Sequence, residues 1–262
     1  MQKSWAFDSD LTRGYSEARR EIASKFLEAV RRAMPMDTAL DVGCGIGYFS
    51  KFLRDSGFHV MGLDGRQENV TEAKRRYPEI TFVNRDVEAV GLEELGGFDL
   101  VLCFGLLYHL ENPFRAIRNL HSITAKVLLV ESMCAPGMLP SLQLVDESRA
   151  EDQGLNYVAF YPTEACLVKM LYRAGFSHVY GFAELPGHSA FRASMWKRKE
   201  RTILAASKGP LAAECLRLLP DVKGSWEILW TSRERWRSRL ERAVRMVRRK
   251  PNIAERRDAE KA

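Results

Sequence analysis

The sequence predicts an α/β fold: a doubly wound sheet of seven strands with helices on both faces. Three observations carry this. Short runs rich in Val, Ile, Leu and Phe alternate with helical stretches across residues 38–208, the pattern of strand–helix–strand crossovers. Several runs, such as residues 100–104 and 127–130, are unbroken apolar segments, as expected where helices cover both faces of a parallel sheet. A glycine-rich turn, Gly43-Cys44-Gly45-Ile46-Gly47, directly follows the first run.

Each element follows from local signals. Residues 16–34 read as an amphipathic helix on Ile22, Phe26, Leu27 and Val30, ended by Pro35. Ala39-Leu40-Asp41-Val42 is the first strand, stopped by the glycines, and a helix over 48–55 ends at Gly57. Val60-Met61-Gly62-Leu63-Asp64 is the second strand, 68–76 a polar helix, and Ile80-Thr81-Phe82-Val83 the third strand. Residues 99–104 form the fourth strand, 113–120 a helix and 126–131 the fifth strand. Residues 133–162 show no clear period and contain Pro136-Gly137, Pro140, Gly154 and Pro162, so a long functional loop is expected. Thr163 then opens a helix on Ala165, Leu167, Val168, Met170, Leu171 and Ala174, with Gly175 as its stop. His178-Val179-Tyr180-Gly181-Phe182 and residues 201–206 are two closing strands, and 226–250 reads as a final helix.

Composition excludes several classes. A chain of 262 residues with 46% hydrophobic and 28% charged residues is neither disordered nor collagen-like. The densest apolar stretch, residues 100–110, is far short of the about 20 residues a membrane span needs. Acid at Asp8 stands where a signal peptide would be apolar. The expectation is a cytoplasmic protein, soluble or peripheral to a membrane. Five cysteines with no C-x-x-C pair give neither a disulfide framework nor zinc spacing, and no metal cluster is visible. Residues 1–210 hold 26 basic and 26 acidic side chains, so the net charge of +6 lies wholly in 211–262. A neutral body argues against a broad nucleic-acid surface.

The chemistry is concentrated around the glycine turn. Glycines there let a ligand approach the backbone, and the following helix N-terminus favours an acceptor or negative charge. A dinucleotide fingerprint would place glycine where Tyr48 stands. Asp41, two residues before Gly43, suits a ligand ammonium group instead. Asp64 closes the second strand, where a carboxylate can take ribose hydroxyls, and Asp86 follows the third, placed to accept from an adenine amino group. The turn therefore fits an amino-acid-bearing nucleoside.

On these residues, 37–208 resemble the class I S-adenosylmethionine-dependent methyltransferases, in a small-molecule methyltransferase-like form with a Rossmann-like sheet. The resemblance implies S-adenosyl-L-methionine as cofactor. It sets Asp41, Gly43, Cys44, Gly45 and Gly47 around the methionine part, Asp64 and Gly65 at the ribose, and Asp86 and Val87 at the adenine. Phe104, Gly105 and Leu106 would line the sulfonium side. Cys44 is expected as a small turn residue, not a nucleophile. The segment Leu107-Tyr108-His109-x-x-x-Pro113 is similar to one in several small-molecule methyltransferases and in a tRNA wobble-uridine-modifying group.

His109 is the candidate general base, weighed against a helix-capping role. Tyr108 is a candidate for orienting the acceptor, and Glu131, ending the fifth strand, a candidate base or hydroxyl anchor. Three segments follow: 1–36 as a helical edge or lid carrying Trp5, Phe7 and Tyr15; 37–208 as the methyltransferase domain, with 133–162 as acceptor loop; and 209–262 as a basic amphipathic helical tail. The loop offers Asp146, Glu147, Arg149, Asp152, Gln153 and Asn156 to a polar acceptor. In the tail, Trp226, Trp230 and Trp236 alternate with arginines, a pattern for docking on the body or another subunit, for an anionic membrane surface, or for RNA contact. The expected activity is methyl transfer to an oxygen or nitrogen of a small-molecule acceptor: a metabolite, glycan precursor or lipid-linked compound. A tRNA wobble-uridine-modifying transferase and a non-catalytic cofactor-binding regulatory module are the alternatives.

Overall fold

The computed structural model describes residues 5–148, 150, 152–193 and 199–221. Ten strands and five α-helices alternate along them. α1 (Asp10–Val30) opens the chain, and its N-terminus is capped by Ser9, whose Oγ accepts from the Thr12 N–H at 3.3 Å. That cap starts the helix before Ser16, and Arg31 caps it ahead of Pro35, so it lies earlier than the sequence pattern suggests. The alternation then runs β1 (Thr38–Val42), α2 (Tyr48–Asp55), β2 (His59–Asp64), α3 (Gln67–Arg76), β3 (Thr81–Asn84), β4 (Phe98–Phe104), α4 (Pro113–Ile123) and β5 (Thr124–Met133). After β6 (Leu142–Asp146) and β7 (Val158–Pro162) come α5 (Glu164–Ala174), β8 (His178–Phe182), β9 (Arg201–Ser207) and β10 (Leu216–Leu219).

The main sheet has the order β10-β8-β9-β5-β4-β1-β2-β3. β3, β2, β1, β4 and β5 are parallel, and β9, β8 and β10 join antiparallel at one edge. The strand order reverses between β1 and β4, which opens a crevice at their C-terminal ends.

Alternation along the central strands sends side chains to two cores. Val101 and Cys103 pack with Leu128, Val130 and Leu204 under α4 and α5. Leu100, Leu102 and Phe104 pack with Leu129, Ile203 and Ala205 under α1, through Ile22, Ala23, Phe26 and Leu27. Burial on both faces explains the unbroken apolar strand sequences.

Two features differ from the sequence reading. The main sheet has eight strands, not seven: Leu216–Leu219 pairs antiparallel with β8, and the Tyr172 hydroxyl donates to the Leu219 carbonyl at 2.6 Å. The start of the expected helical tail is therefore an edge strand; residues 226–250 lie outside the described ones. Within the expected loop 133–162, β6 and β7 form an antiparallel hairpin of their own. Leu142 and Leu144 of β6 are exposed, which removes the alternating burial that marks a strand.

Among the described residues no helix is long and apolar enough to cross a membrane. All five cysteines are free thiols.

Candidate active site

Two adjoining clefts open at the C-terminal ends of β1, β2 and β4. The loop after β1 turns through left-handed backbone at Gly43, Gly45 and Gly47, with φ of 70°, 52° and 93°, values that side-chain-bearing residues rarely adopt. Space is tight as well: a Cβ on Gly47 would stand 2.8 Å from the Tyr77 ring. The Gly43 and Cys44 N–H groups donate to the Leu63 carbonyl, which ties the loop to β2.

Asp64, at the end of β2, is 7% exposed and lines the first cleft. Its Oδ2 accepts from the Gly45 N–H at 2.8 Å, and its Oδ1 from the Arg66 N–H at 2.8 Å and from Asn69 Nδ2 at 3.1 Å. Burial raises its pKa, and these donors work against that rise. Three donors fix the carboxylate and leave acceptor capacity for a ligand hydroxyl. Gly65, Asp86, Val87, Gly105, Leu106 and Leu110 line the same cleft, so it offers carboxylates at one end and apolar walls beside them. Asp86 is oriented by the Glu88 N–H, which donates to its Oδ1 at 2.8 Å.

The segment between β6 and β7 covers this cleft. Arg66 Nη2 donates to the carbonyls of Gln153 and Gly154, both at 3.0 Å. Leu155 lies over Gly65, where a Cβ would meet it at 2.9 Å. Asp152, Gln153 and Asn156 thus reach the first cleft; Arg149 lies outside the described residues.

The second cleft is bounded by α1, the glycine loop, β4 and β7, and includes Cys44, Phe104, Tyr15, Tyr108 and Tyr161. The Phe7 ring sits over Gly45, at 3.0 Å from where a Cβ would be. Burial pushes the Cys44 thiol well above its ordinary pKa, which makes it inert as a nucleophile at neutral pH.

His109 ends a short 3₁₀ turn (Leu107–His109) after β4 and lines both clefts. Its Nδ1 is 2.6 Å from Glu147 Oε1, and Glu147 Oε2 accepts from the Gly154 N–H at 2.9 Å. Desolvation holds the His109 pKa below its ordinary 6.5, although the Glu147 carboxylate pulls the other way. The imidazole is therefore neutral at pH 7, with Nδ1–H donated to Glu147 and Nε2 left as the basic atom. The Tyr108 ring lies against it, tilted by 44° with centroids 4.1 Å apart.

Two expected site residues are placed differently. Asp41 lines neither cleft: it is 2% exposed and accepts from Ser50 Oγ at 2.7 Å beneath the loop, and burial pushes its pKa up to about 7. It supports the loop from below through Ser50. Glu131 is fully buried and also lines neither cleft, so it is no base for the acceptor. Its Oε1 accepts from Arg201 Nη1 at 2.9 Å, and its Oε2 lies 2.7 Å from Arg19 Nη2. Two carboxylate oxygens facing two guanidiniums make it a buried counter-ion.

Sequence reasoning missed Arg19, Glu147 as partner of His109, Arg66 and Arg201. One signal was legible. Arg19 stands three residues before Ile22 and seven before Phe26, a charge on the apolar stripe of its helix. Among the described residues there is no group of His, Cys, Asp and Glu that could hold a metal.

The clefts suit the cofactor inferred from sequence: a fixed carboxylate at the β2 end, a second acid and apolar walls beyond it, and a glycine loop open to close approach. Comparisons agree. Residues 40–126, spanning β1 to the start of β5, match the methyltransferase domain family. The "tRNA U34 carboxymethyltransferase" of Desulfotalea psychrophila is 26% identical over 153 residues, 56% of this chain and 47% of that protein. The "Ubiquinone biosynthesis O-methyltransferase" of Xanthomonas campestris pv. campestris is 33% identical over 99 residues, 36% of this chain and 41% of that one. The chain spans just under half the length of the first curated relatives it matches. Among solved structures, the N-terminal domain of EvdMO1 with SAH bound superposes with a TM-score of 0.61 at 24% identity, over 76% of this chain and 84% of that one. Residues 40–126 thus match a methyltransferase domain, and the chain shares its α/β fold with that S-adenosylhomocysteine-bound structure.

Proposed function

We propose that the protein transfers a methyl group from S-adenosylmethionine to a hydroxyl oxygen of a small-molecule acceptor, with His109 as general base. The observation that carries this is the placement of His109 at the border of both clefts, neutral and held through Nδ1 by Glu147. Bound in the first cleft, the cofactor supplies an electrophilic methyl group. Asp64 holds the ribose, Asp86 and Val87 hold the adenine, and Gly43 and Gly105 border the methionine end. Arg66 draws the 152–156 segment over the nucleoside and excludes water from it.

On the acceptor side, Nε2 of His109 takes the hydroxyl proton as the oxygen becomes nucleophilic, and Glu147 stabilises the imidazolium that forms. Tyr108 and Tyr161 wall the acceptor space, with ring centroids 5.9 Å apart in an edge-on arrangement. Positioning supplies much of the remaining acceleration, because a well-aligned methyl transfer needs little else.

A second reading has its own support. Relatives named as tRNA U34 carboxymethyltransferases favour an RNA acceptor. The equal count of acids and bases over residues 1–210 speaks against it, since phosphate contacts require surplus Lys and Arg. The test is incubation with methyl-labelled cofactor and, separately, small-molecule extract fractions and total tRNA. Label entering a small-molecule fraction is the expected result; label entering only tRNA overturns it. Contact of residues 226–250 with a membrane surface or RNA remains a proposal, read by deleting 223–262 and measuring liposome and RNA binding.

A further inference from the structure

Two arginines that line the second cleft, Arg19 and Arg201, face one buried carboxylate behind it. Among the described residues, Arg19 of α1 and Arg201 of β9 share Glu131 as their carboxylate partner, and both side chains are 9% exposed. Arg201 also donates to the Tyr108 hydroxyl, at 3.3 and 3.4 Å, and lies 4.5 Å above the Tyr15 ring. The Arg19 guanidinium packs against Gly105, where a Cβ would meet Nη2 at 3.0 Å. Although its Nη2 is close to Glu131, the pair lacks in-line geometry, and Arg19 Nε is buried with no hydrogen-bond partner among the described residues. Of the other acids that line the cleft, Glu147 is engaged by His109 and the Gly154 N–H, and Asp8 by Arg76.

A buried guanidinium without full pairing is destabilising, and a sulfonium cofactor would add a further positive charge nearby. An anion entering the cleft relieves both. We propose that Arg201 and Arg19 seat a carboxylate carried by the methyl acceptor, so that the substrate is a hydroxy acid whose hydroxyl is presented to His109. This rests on the methyltransferase reading and narrows its substrate class. Glu131 acts here as the counter-ion that holds the two arginines together while the cleft is empty, and Tyr15, Tyr108 and Tyr161 wall the space around the seat.

The test uses the full chain saturated with S-adenosylhomocysteine and titrated with acetate and with its neutral isostere acetamide at constant ionic strength. Acetate should bind about ten-fold or more tightly than acetamide, the difference a charge-assisted contact to arginine makes. Arg201→Met should erase that preference. Glu131→Gln, which removes the competing carboxylate, should strengthen acetate binding; this second variant keeps both arginines should Arg201→Met fail to fold. Equal binding of the two probes, or a preference that survives Arg201→Met, overturns the proposal while leaving cofactor binding intact. Acetate that binds only without S-adenosylhomocysteine would assign the seat to the cofactor's own carboxylate and also overturn it. Loss of S-adenosylhomocysteine binding itself would instead sink the methyltransferase reading.

Discussion

His109 and Asp41 show how burial sets opposite protonation states at the ends of two neighbouring strands. Burial lowers the His109 pKa, so its base form persists below pH 6.5 and activity should fall only as pH drops through that lowered value. A kcat profile with its acid limb below pH 6.5 checks this; a limb above 7 contradicts it. His109→Gln should cut kcat about 10²–10⁴-fold, the usual range for a positioned base, with S-adenosylhomocysteine affinity unchanged. For Asp41 the sign reverses. Its folded pKa of about 7 exceeds the ordinary 3.8, so the protonated form is favoured in the fold. The corresponding stability is complete below about pH 4 and is lost as pH rises through 7. Asp41→Asn, which mimics the protonated acid, should therefore raise the melting temperature of the ligand-free protein more at pH 8 than at pH 5. The gain should be a few degrees, at roughly 2–4 °C per kcal/mol for a chain of this size. An equal effect at both pH values refutes the assignment.

At the scale of elements, the parallel strands and their helices were legible because each carries its own signal. Unbroken apolar runs mark β4 and β5, Thr163 and Gly175 bracket α5, and glycines mark the turn after β1. The β6–β7 hairpin was not legible, since β6 buries little and its pairing is a long-range contact across the acceptor loop. The same holds for the site. Asp64, Asp86 and His109 sit next to recognisable turns, whereas Arg19 and Arg201 meet Glu131 only because three separate elements converge on one sheet face. Arg66 is the tie between the acceptor loop and the first cleft, and two loop carbonyls depend on it. Arg66→Ala should loosen that segment and weaken S-adenosylhomocysteine binding by about ten- to hundred-fold, as expected for a lost charged hydrogen bond of about 1.5–3 kcal/mol. It should also speed proteolysis within 147–157; an unchanged affinity and cleavage pattern would show that the cover is held by other contacts.

For the whole molecule, the strand reversal between β1 and β4 explains why the chemistry gathers at one edge. Both the glycine loop and the His109 turn leave the sheet at that point, on either side of the crevice. The sheet and its two cores fix the spacing; α1 brings Tyr15 and Arg19 to the second cleft, and the turn before it brings Phe7. A ligand that fills the crevice should stabilise the fold by mass action. At 100 times its dissociation constant, S-adenosylhomocysteine should contribute about 2.7 kcal/mol, a rise of roughly 5–11 °C in melting temperature. The most direct test is calorimetric titration of the purified chain with S-adenosylhomocysteine and with a nicotinamide dinucleotide, repeated on Asp64→Ala. Saturable binding of the first alone, lost in the variant, is the predicted result; binding of the dinucleotide in its place, or full affinity in Asp64→Ala, would contradict the account.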